Sequence, residues 1–289
     1  MKSQLLQIVC ISYLLVLVFP FEPVFGTQIT VSLPGNTTAN ADFRAGEPLK
    51  PAVFLLHGFM ATYNLNIIQI MAEELENLGY TVLAPTLSLN INNRRSGANC
   101  DSVHTHTMQS DIAEIAWWVD WLDHKSYKDV IMAGFSTGGL QIANYLSLNS
   151  PQIIKKVVLI SPAYLAGEPF PQADEKKDIN IAKKLLAQHD DQLHEYHLSY
   201  CKGNFVAPSK VFLSYKEWTD VRLIEVVTKI KVPYSIIVGG EDHRFGVKLG
   251  NQLIKNSSKM FTIAGANHFF DSPYEFEFLD QFTREMVLH

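Results

Sequence analysis

Ser136, Asp242 and His268 have the residue types and the chain order needed to pass an acyl group to water. They stand in Gly134-Phe135-Ser136-Thr137-Gly138, Gly239-Gly240-Glu241-Asp242 and Gly265-Ala266-Asn267-His268-Phe269. A serine hydroxyl is a poor nucleophile at neutral pH. It needs a base that titrates near the working pH, and that base needs an acceptor to hold it in one tautomer. His268 suits the first task and Asp242 the second. Glu241 adjoins Asp242 and is the rival acid, but a neighbour in the same turn points the other way and reads more simply as a solvated carboxylate.

Each of the three follows an apolar run. Val130-Ile131-Met132-Ala133 reads as a buried strand, Gly134 to Gly138 as a sharp turn, and Leu140 to Leu146 as a helix by its spacing. A serine on such a turn has a strained backbone that pushes its hydroxyl out of the sheet top, with glycines where a side chain would collide. The helix aims its N-terminus at the same spot and leaves the Thr137 N–H for a developing oxyanion. Pro51 to Leu56 is a second continuous apolar run, ending in His57-Gly58-Phe59-Met60. Its turn can offer the Phe59 N–H to the same oxyanion. His57 itself is expected to play a structural part.

The remaining pattern alternates strand and helix. Ile67, Met71, Leu75 and Leu78 form a helical stripe, Tyr80 to Pro85 a strand, and Met108, Ile112, Ile115, Val119 and Leu122 a second stripe. Val157 to Ile160, Tyr234 to Val238 and Lys259 to Ala264 read as further strands, and Pro273 to Met286 as a closing amphipathic helix. Right-handed crossovers in a mostly parallel sheet, with helices on both faces, account for this order. Gln28 to Ser32 fits a short antiparallel edge strand, and Pro34 to Ala41 reads as a polar, turn-rich segment. About seventy residues separate two of the strands, so Leu165 to Lys216 is expected to form a cap over Ser136. A charged helix is expected over Ile181 to Gln188, and His189, His194 and His197 on an exposed helical face. Trp117, Trp118 and Trp121 read as helix packing.

The chain has 289 residues, 47% of them hydrophobic, with a net charge of -5, which gives no electrostatic case for nucleic acid. Lys2, the apolar run Leu5 to Phe19, then Pro20, Pro23 and Val24-Phe25-Gly26 resemble a secretory signal peptide, with cleavage after Gly26 expected and a retained anchor as the alternative. No stable membrane span remains after that cut, and the mature chain, 27–289, is expected in the periplasm or outside the cell. Removing the leader removes Cys10 and leaves Cys100 and Cys201. Export puts both in an oxidising compartment, and topology brings the loop of one under the insertion of the other, so a disulfide is expected; two unlinked buried thiols are the alternative. Closing a loop of about a hundred residues stabilises by up to about 4.7 kcal/mol in the chain-entropy model. Cys100, His104 and His106 could suggest zinc, but they lack an obvious fourth ligand and match no common spacing. Rim or helix-cap histidines are the expectation, with no metal and no cofactor.

Taken together, the GxSxG turn at Ser136, the His57-Gly58 turn and the order Ser136, Asp242, His268 resemble the α/β-hydrolase superfamily over Pro51 to Met286. The resemblance implies an α/β-hydrolase fold with Ser136 as nucleophile, Asp242 as orienting acid, His268 as base, and Phe59 and Thr137 as oxyanion donors. Many relatives carry an Asp-x-Arg-Gly-His-Gly-like stretch after the strand ending at Pro85; this chain has Thr86-Leu87-Ser88-Leu89-Asn90. The subfamily is therefore open. The expected activity is hydrolysis of a small-molecule carboxylic ester, with a thioesterase or peptidase of the same fold, or a non-catalytic binding protein of the envelope, as alternatives.

Overall fold

The computed structural model describes residues 26–167, 172–242 and 259–288. The expected leader lies outside them apart from Gly26. An eight-stranded sheet runs through the molecule in the order β1-β2-β4-β3-β5-β6-β9-β10. Its strands are β1 (Thr27–Ser32), β2 (Thr38–Arg44), β3 (Ala52–Leu56), β4 (Thr81–Thr86), β5 (Val130–Phe135), β6 (Ile154–Ile160), β9 (Tyr234–Gly239) and β10 (Lys259–Ile263). From β4 to β10 every pairing is parallel, and only β2 runs against its neighbours. Among the described residues the helices are α1 (Asn66–Asn77), α2 (Met108–His124), α3 (Thr137–Leu148), α4 (Gln172–Ala187), α5 (Ser209–Lys216), α6 (Asp220–Val227) and α7 (Glu275–Glu285).

The continuous apolar runs are explained by burial on both faces. In β3, Phe54 and Leu56 join one core with Trp118, Leu140 and Leu223, whereas Val53 and Leu55 join a second core with Met71, Leu75, Phe278 and Phe282. Helices α2, α3 and α6 thus cover one face and α1 and α7 the other, and a side chain of either parity meets apolar partners. Trp118 is fully buried and stands edge-on to both Trp117 and Trp121, at 5.1 and 6.1 Å, the packing expected of them. Thr107 caps α2 by accepting from the Ser110 N–H, while the Ser110 hydroxyl oxygen accepts from the Thr107 N–H. Among the described residues no helix is long and apolar enough to cross a membrane.

Three expectations are corrected. The segment read as turn-rich, Pro34 to Ala41, runs into β2 from Thr38 onward, and the register pairs that strand with both β1 and β4. Its buried Asn40, Asp42 and Arg44 broke the apolar pattern, yet each has partners: Arg44 binds Asp42 at 2.9 Å and Glu76 at 2.8 Å, and Asn40 Nδ2 donates to the Arg94 carbonyl at 2.7 Å. In the insertion, α4 begins at Gln172 rather than near Ile181, and the histidine-bearing stretch is an antiparallel hairpin rather than an exposed helical face. Strands β7 (His194–Leu198) and β8 (Cys201–Ala207) form it, with Tyr196 and Leu198 buried. His197 is half-buried and its Nδ1 lies 2.9 Å from Asp178 Oδ2 on α4, whereas His189 stands exposed past the end of that helix. Finally, His104 and His106 are buried rather than on a rim, because the β4–α2 loop pairs with the hairpin: His104 N–H donates to Val206 O at 2.8 Å. Cys100 and Cys201 are joined in a disulfide, their Cα atoms 5.6 Å apart, which pins the hairpin to that loop.

Candidate active site

Ser136 follows β5 directly and is the N-cap of α3, with φ 56° and ψ -125°. That left-handed conformation is sparsely populated for a residue with a side chain, and the surroundings hold it. The Ser136 N–H donates to Ile160 O at 2.8 Å, and its carbonyl accepts from Gly139 and Ala163 at 3.0 and 3.1 Å. Gly138 cannot be replaced without a shift, since a Cβ there would come within 2.4 Å of the His57 carbonyl. This contact presses the β3 turn against the start of α3.

Asp242 and His268 follow β9 and β10. The two strand ends are drawn together at Gly239, where a Cβ would lie 2.4 Å from the carbonyls of Ala266 and Asn267. Asn267 Oδ1 accepts from the N–H groups of Phe269 and Asp271 at 3.0 and 3.3 Å, forming a local turn that spans His268. His268 Nδ1 lies 2.7 Å from Asp242 Oδ2, and its Nε2 lies 3.0 Å from Ser136 Oγ. Asp242 is buried and Glu241 is exposed, so burial separates the two carboxylates as the turn argument expected. With Nδ1 facing an acceptor, Nε2 is left to accept from the serine hydroxyl.

Thr137 and Phe59, the two residues expected to donate backbone N–H groups, both line the cleft beside Ser136. Thr137 is the first residue of α3, so its N–H has no partner within the helix. No acceptor among the described residues receives the Phe59 N–H. The turn that carries Phe59 is held from below by His57. Leu87 N–H donates to His57 Nε2 at 3.1 Å, which puts the proton on Nδ1, 2.8 Å from the Gly58 carbonyl. Burial, and then the nearby Arg94 charge, lower the His57 pKa to about 3, so the ring stays neutral in this structural part.

Arg94 is a residue that sequence reasoning missed. Its buried guanidinium donates to the carbonyls of Leu87, Ser96, Met60 and Ala61 at 2.7–3.2 Å, clamping the β4–α2 loop to the residues after Phe59. Nothing in an Asn-Asn-Arg-Arg-Ser loop sets it apart. A second buried group sits behind the site. The Tyr215 hydroxyl donates to Asp111 Oδ2 at 2.7 Å and accepts from His106 Nδ1, and Gln141 of α3 also donates to Asp111, at 3.0 Å. His104 stacks on Phe205, with ring centroids 4.2 Å apart. Among the described residues no group of three or more His, Cys, Asp or Glu side chains is placed to hold a metal ion.

Glu114 on α2 gives a pH test of the same loop. Its carboxylate accepts from the Ser88 N–H at 2.9 Å and the Ser88 hydroxyl at 2.6 Å. Burial raises its pKa to about 7, the Ser88 hydrogen bonds opposing the rise and the Asp111 charge adding to it. A carboxyl group with a raised folded pKa holds its proton longer when folded than when unfolded. Its contribution is therefore best below the unfolded value and is lost as pH rises through the folded one. Between about pH 4.5 and 7 this one group should remove about 3 kcal/mol of stability. In Glu114→Gln that slope should vanish, and urea unfolding of both proteins at pH 5 and pH 8 checks it. An equal pH sensitivity in the two proteins would overturn the assignment.

A cleft of about 340 Å³ opens above Ser136, lined by Phe59 and Met60 on the β3 side, by Phe135 and Tyr164, by Ser199 and Tyr200 of the β7–β8 turn, and by His268 and Phe269. The insertion therefore contributes wall residues to it. The arrangement can take a proton from a hydroxyl, return it through an imidazole, and donate two N–H groups to a nearby oxygen.

Residues 51–188 match the family model described as alpha/beta hydrolase fold. Among solved structures, Est1E from Butyrivibrio proteoclasticus is similar at 20% identity with a TM-score of 0.62, covering 90% of this chain and 98% of that one. The alpha/beta hydrolase GrgF from Penicillium sp. sh18 is similar at 11% identity and a TM-score of 0.68, covering 91% and 99%. A thioesterase domain from the curacin biosynthetic pathway is similar at 16% identity and a TM-score of 0.60, covering 89% and 99%. No curated protein matches by sequence. At these identities the likeness is one of fold.

Proposed function

We propose that this chain, which belongs to the α/β-hydrolase superfamily, is a serine hydrolase that cleaves a carboxylic ester through an acyl-enzyme on Ser136. The observation that carries the reading is the relay from Ser136 Oγ to His268 Nε2 at 3.0 Å and from His268 Nδ1 to the buried Asp242 at 2.7 Å. Ser136 Oγ attacks the ester carbonyl as His268 Nε2 accepts its proton. The carbonyl oxygen, now an anion, is met by the N–H groups of Thr137 and Phe59. Collapse breaks the carbonyl–alkoxy bond, and His268 returns the proton to the departing alcohol. Water then enters, gives a proton to His268, and attacks the acyl carbon. The second intermediate collapses to the carboxylic acid while Ser136 recovers its proton. Asp242 keeps the imidazole in the tautomer that both halves require and stabilises its cation.

Secretion or periplasmic residence belongs to the same proposal. The apolar leader with its small residues at Val24 and Gly26 supports it, and so does a disulfide, which persists in oxidising compartments. A fluorophosphonate probe tests the enzyme reading, since it labels a serine only where a base activates it. Labelling of the wild-type protein on the Ser136 peptide, lost in Ser136→Ala, is the expected result. A wild-type protein that takes no label would sink the proposal in favour of a binding protein.

A further inference from the structure

The two expected oxyanion donors come from different parts of the chain, Phe59 after β3 and Thr137 at the start of α3, and the reaction depends on their spacing. A misplacement of about 1 Å at such a site costs on the order of a hundredfold in rate. One side chain of the insertion reaches the neighbours of both. The Tyr215 ring on α5 stands edge-on to the Phe59 ring, with centroids 6.1 Å apart at 69°. Its hydroxyl donates to Asp111 Oδ2 at 2.7 Å, and the same oxygen accepts from Gln141 Nε2 at 3.0 Å. Gln141 lies four residues after Thr137, about one helical turn, and so on the same side of α3. Tyr215 is fully buried and is not one of the cleft residues, so its effect on the reaction must pass through Phe59 and α3.

These contacts are more directional than packing alone requires. The buried Asp111 carboxylate of α2 takes hydrogen bonds from α3, from α5 and from the β4–α2 loop, where His106 Nδ1 lies 3.2 Å from its Oδ1 and also bonds the Tyr215 oxygen. Burial, and then the Asp111 charge, push the Tyr215 pKa well above its usual value, so the hydroxyl keeps its proton and stays a donor. The start of α2 is tied to α5 as well, since the Met108 N–H donates to Ser214 Oγ at 3.3 Å. Hydrogen bonds to a carboxylate in a low-dielectric interior are short and strong, and they fix a distance that apolar contacts would leave loose. From this geometry we infer that Tyr215 is a positioning residue that sets the spacing of the Phe59 and Thr137 N–H groups. The insertion thereby governs the rate of the chemical steps and not the binding of the ester. The inference rests on the serine-hydrolase reading and adds to it a residue outside the cleft. Both halves of the reaction place an anion at the same two donors, so a displaced donor slows both, and kcat falls while KM stays nearly constant. A residue that served stability alone would lower the thermal midpoint and leave the kcat of the folded protein unchanged.

The test uses p-nitrophenyl acetate as the ester and trifluoroacetone as the probe of the anion. Ser136 Oγ adds to the ketone carbonyl, its proton passes to His268 Nε2, and the ketone oxygen is left as an anion at the two N–H groups; no leaving group departs. Trifluoroacetone affinity is read as protection of Ser136 from the fluorophosphonate label, which needs no turnover. Tyr215→Phe keeps the ring and removes the hydroxyl. It should lower kcat per labelled site by about tenfold, with KM within about twofold and trifluoroacetone protection weakened by about the same tenfold. Tyr215→Leu, which removes the ring contact too, should reach about a hundredfold. Gln141→Leu should resemble Tyr215→Phe and gives the same reading if a Tyr215 variant does not fold. The double variant should be about as slow as either single one, because both act through Asp111. Unchanged kcat and unchanged protection in Tyr215→Phe and Gln141→Leu, with only the thermal midpoint lowered, would overturn the inference and leave the serine hydrolase standing. So would losses that multiply in the double variant, or a lost rate with full protection retained. A wild-type protein that hydrolyses no ester and takes no label removes the serine-hydrolase reading, and this inference with it.

Discussion

Ser136→Ala is expected to lower ester turnover by about four to six orders of magnitude with the fold retained. Alanine cannot form the acyl-enzyme, and what survives is the binding cleft and the two backbone N–H donors. The fold should not notice the change. The elbow is held by backbone hydrogen bonds to Ile160, Gly139 and Ala163, none of which uses the serine hydroxyl. An unchanged thermal midpoint together with the lost rate is therefore the expected pair of measurements. Activity within tenfold of wild type would remove Ser136 from the reaction.

Asp242→Asn should be nearly as severe, lowering kcat by about four orders of magnitude, although the replacement is isosteric. The amide can turn its NH2 toward His268 Nδ1, which forces the imidazole proton onto Nε2. That nitrogen is 3.0 Å from Ser136 Oγ and would then meet it as a donor instead of an acceptor. Glu241→Gln is the paired control. Glu241 is exposed, and its substitution should change kcat by less than about threefold. If the glutamine variant were inactive and the asparagine variant active, the acid would be Glu241.

Much of the site was legible because its chemistry depends on short-range signals. The glycines around Ser136 and the apolar runs before each turn are local in sequence, and a parallel sheet brings the strand ends to one edge without further instruction. The segments that escaped are those whose stability is non-local. The first half of strand β2 reads as a turn, and the polar Asn40, Asp42 and Arg44 give the strand no apolar pattern; the partners of Asn40 and Arg44, namely Arg94, Glu76 and Gln69, lie 25 to 54 positions away. His194 and His197 are three apart, a helical spacing, yet the hairpin partner of that stretch, Phe205 with its neighbours, decides for a strand. The burial of His104 and His106 likewise depends on the hairpin that closes over them. Arg94 is legible only once the four carbonyls that surround it are in place.

The bond between Cys100 and Cys201 divides the chain unevenly in a way that matters once the backbone is cut. Residues 101–200 lie inside the covalent ring, Ser136 among them, whereas Asp242 and His268 lie outside it. Leu186 to Leu193, joining α4 to the hairpin, includes a run of exposed residues of the kind that proteases favour. A cut there would leave Ser136 on one fragment and Asp242 and His268 on the other. The fragments would still be one molecule, because the sulfur bridge spans the break and the sheet pairs β6 of the first piece with β9 of the second. A hydrolase built in this way can be nicked in an exposed turn and keep Ser136, Asp242 and His268 together.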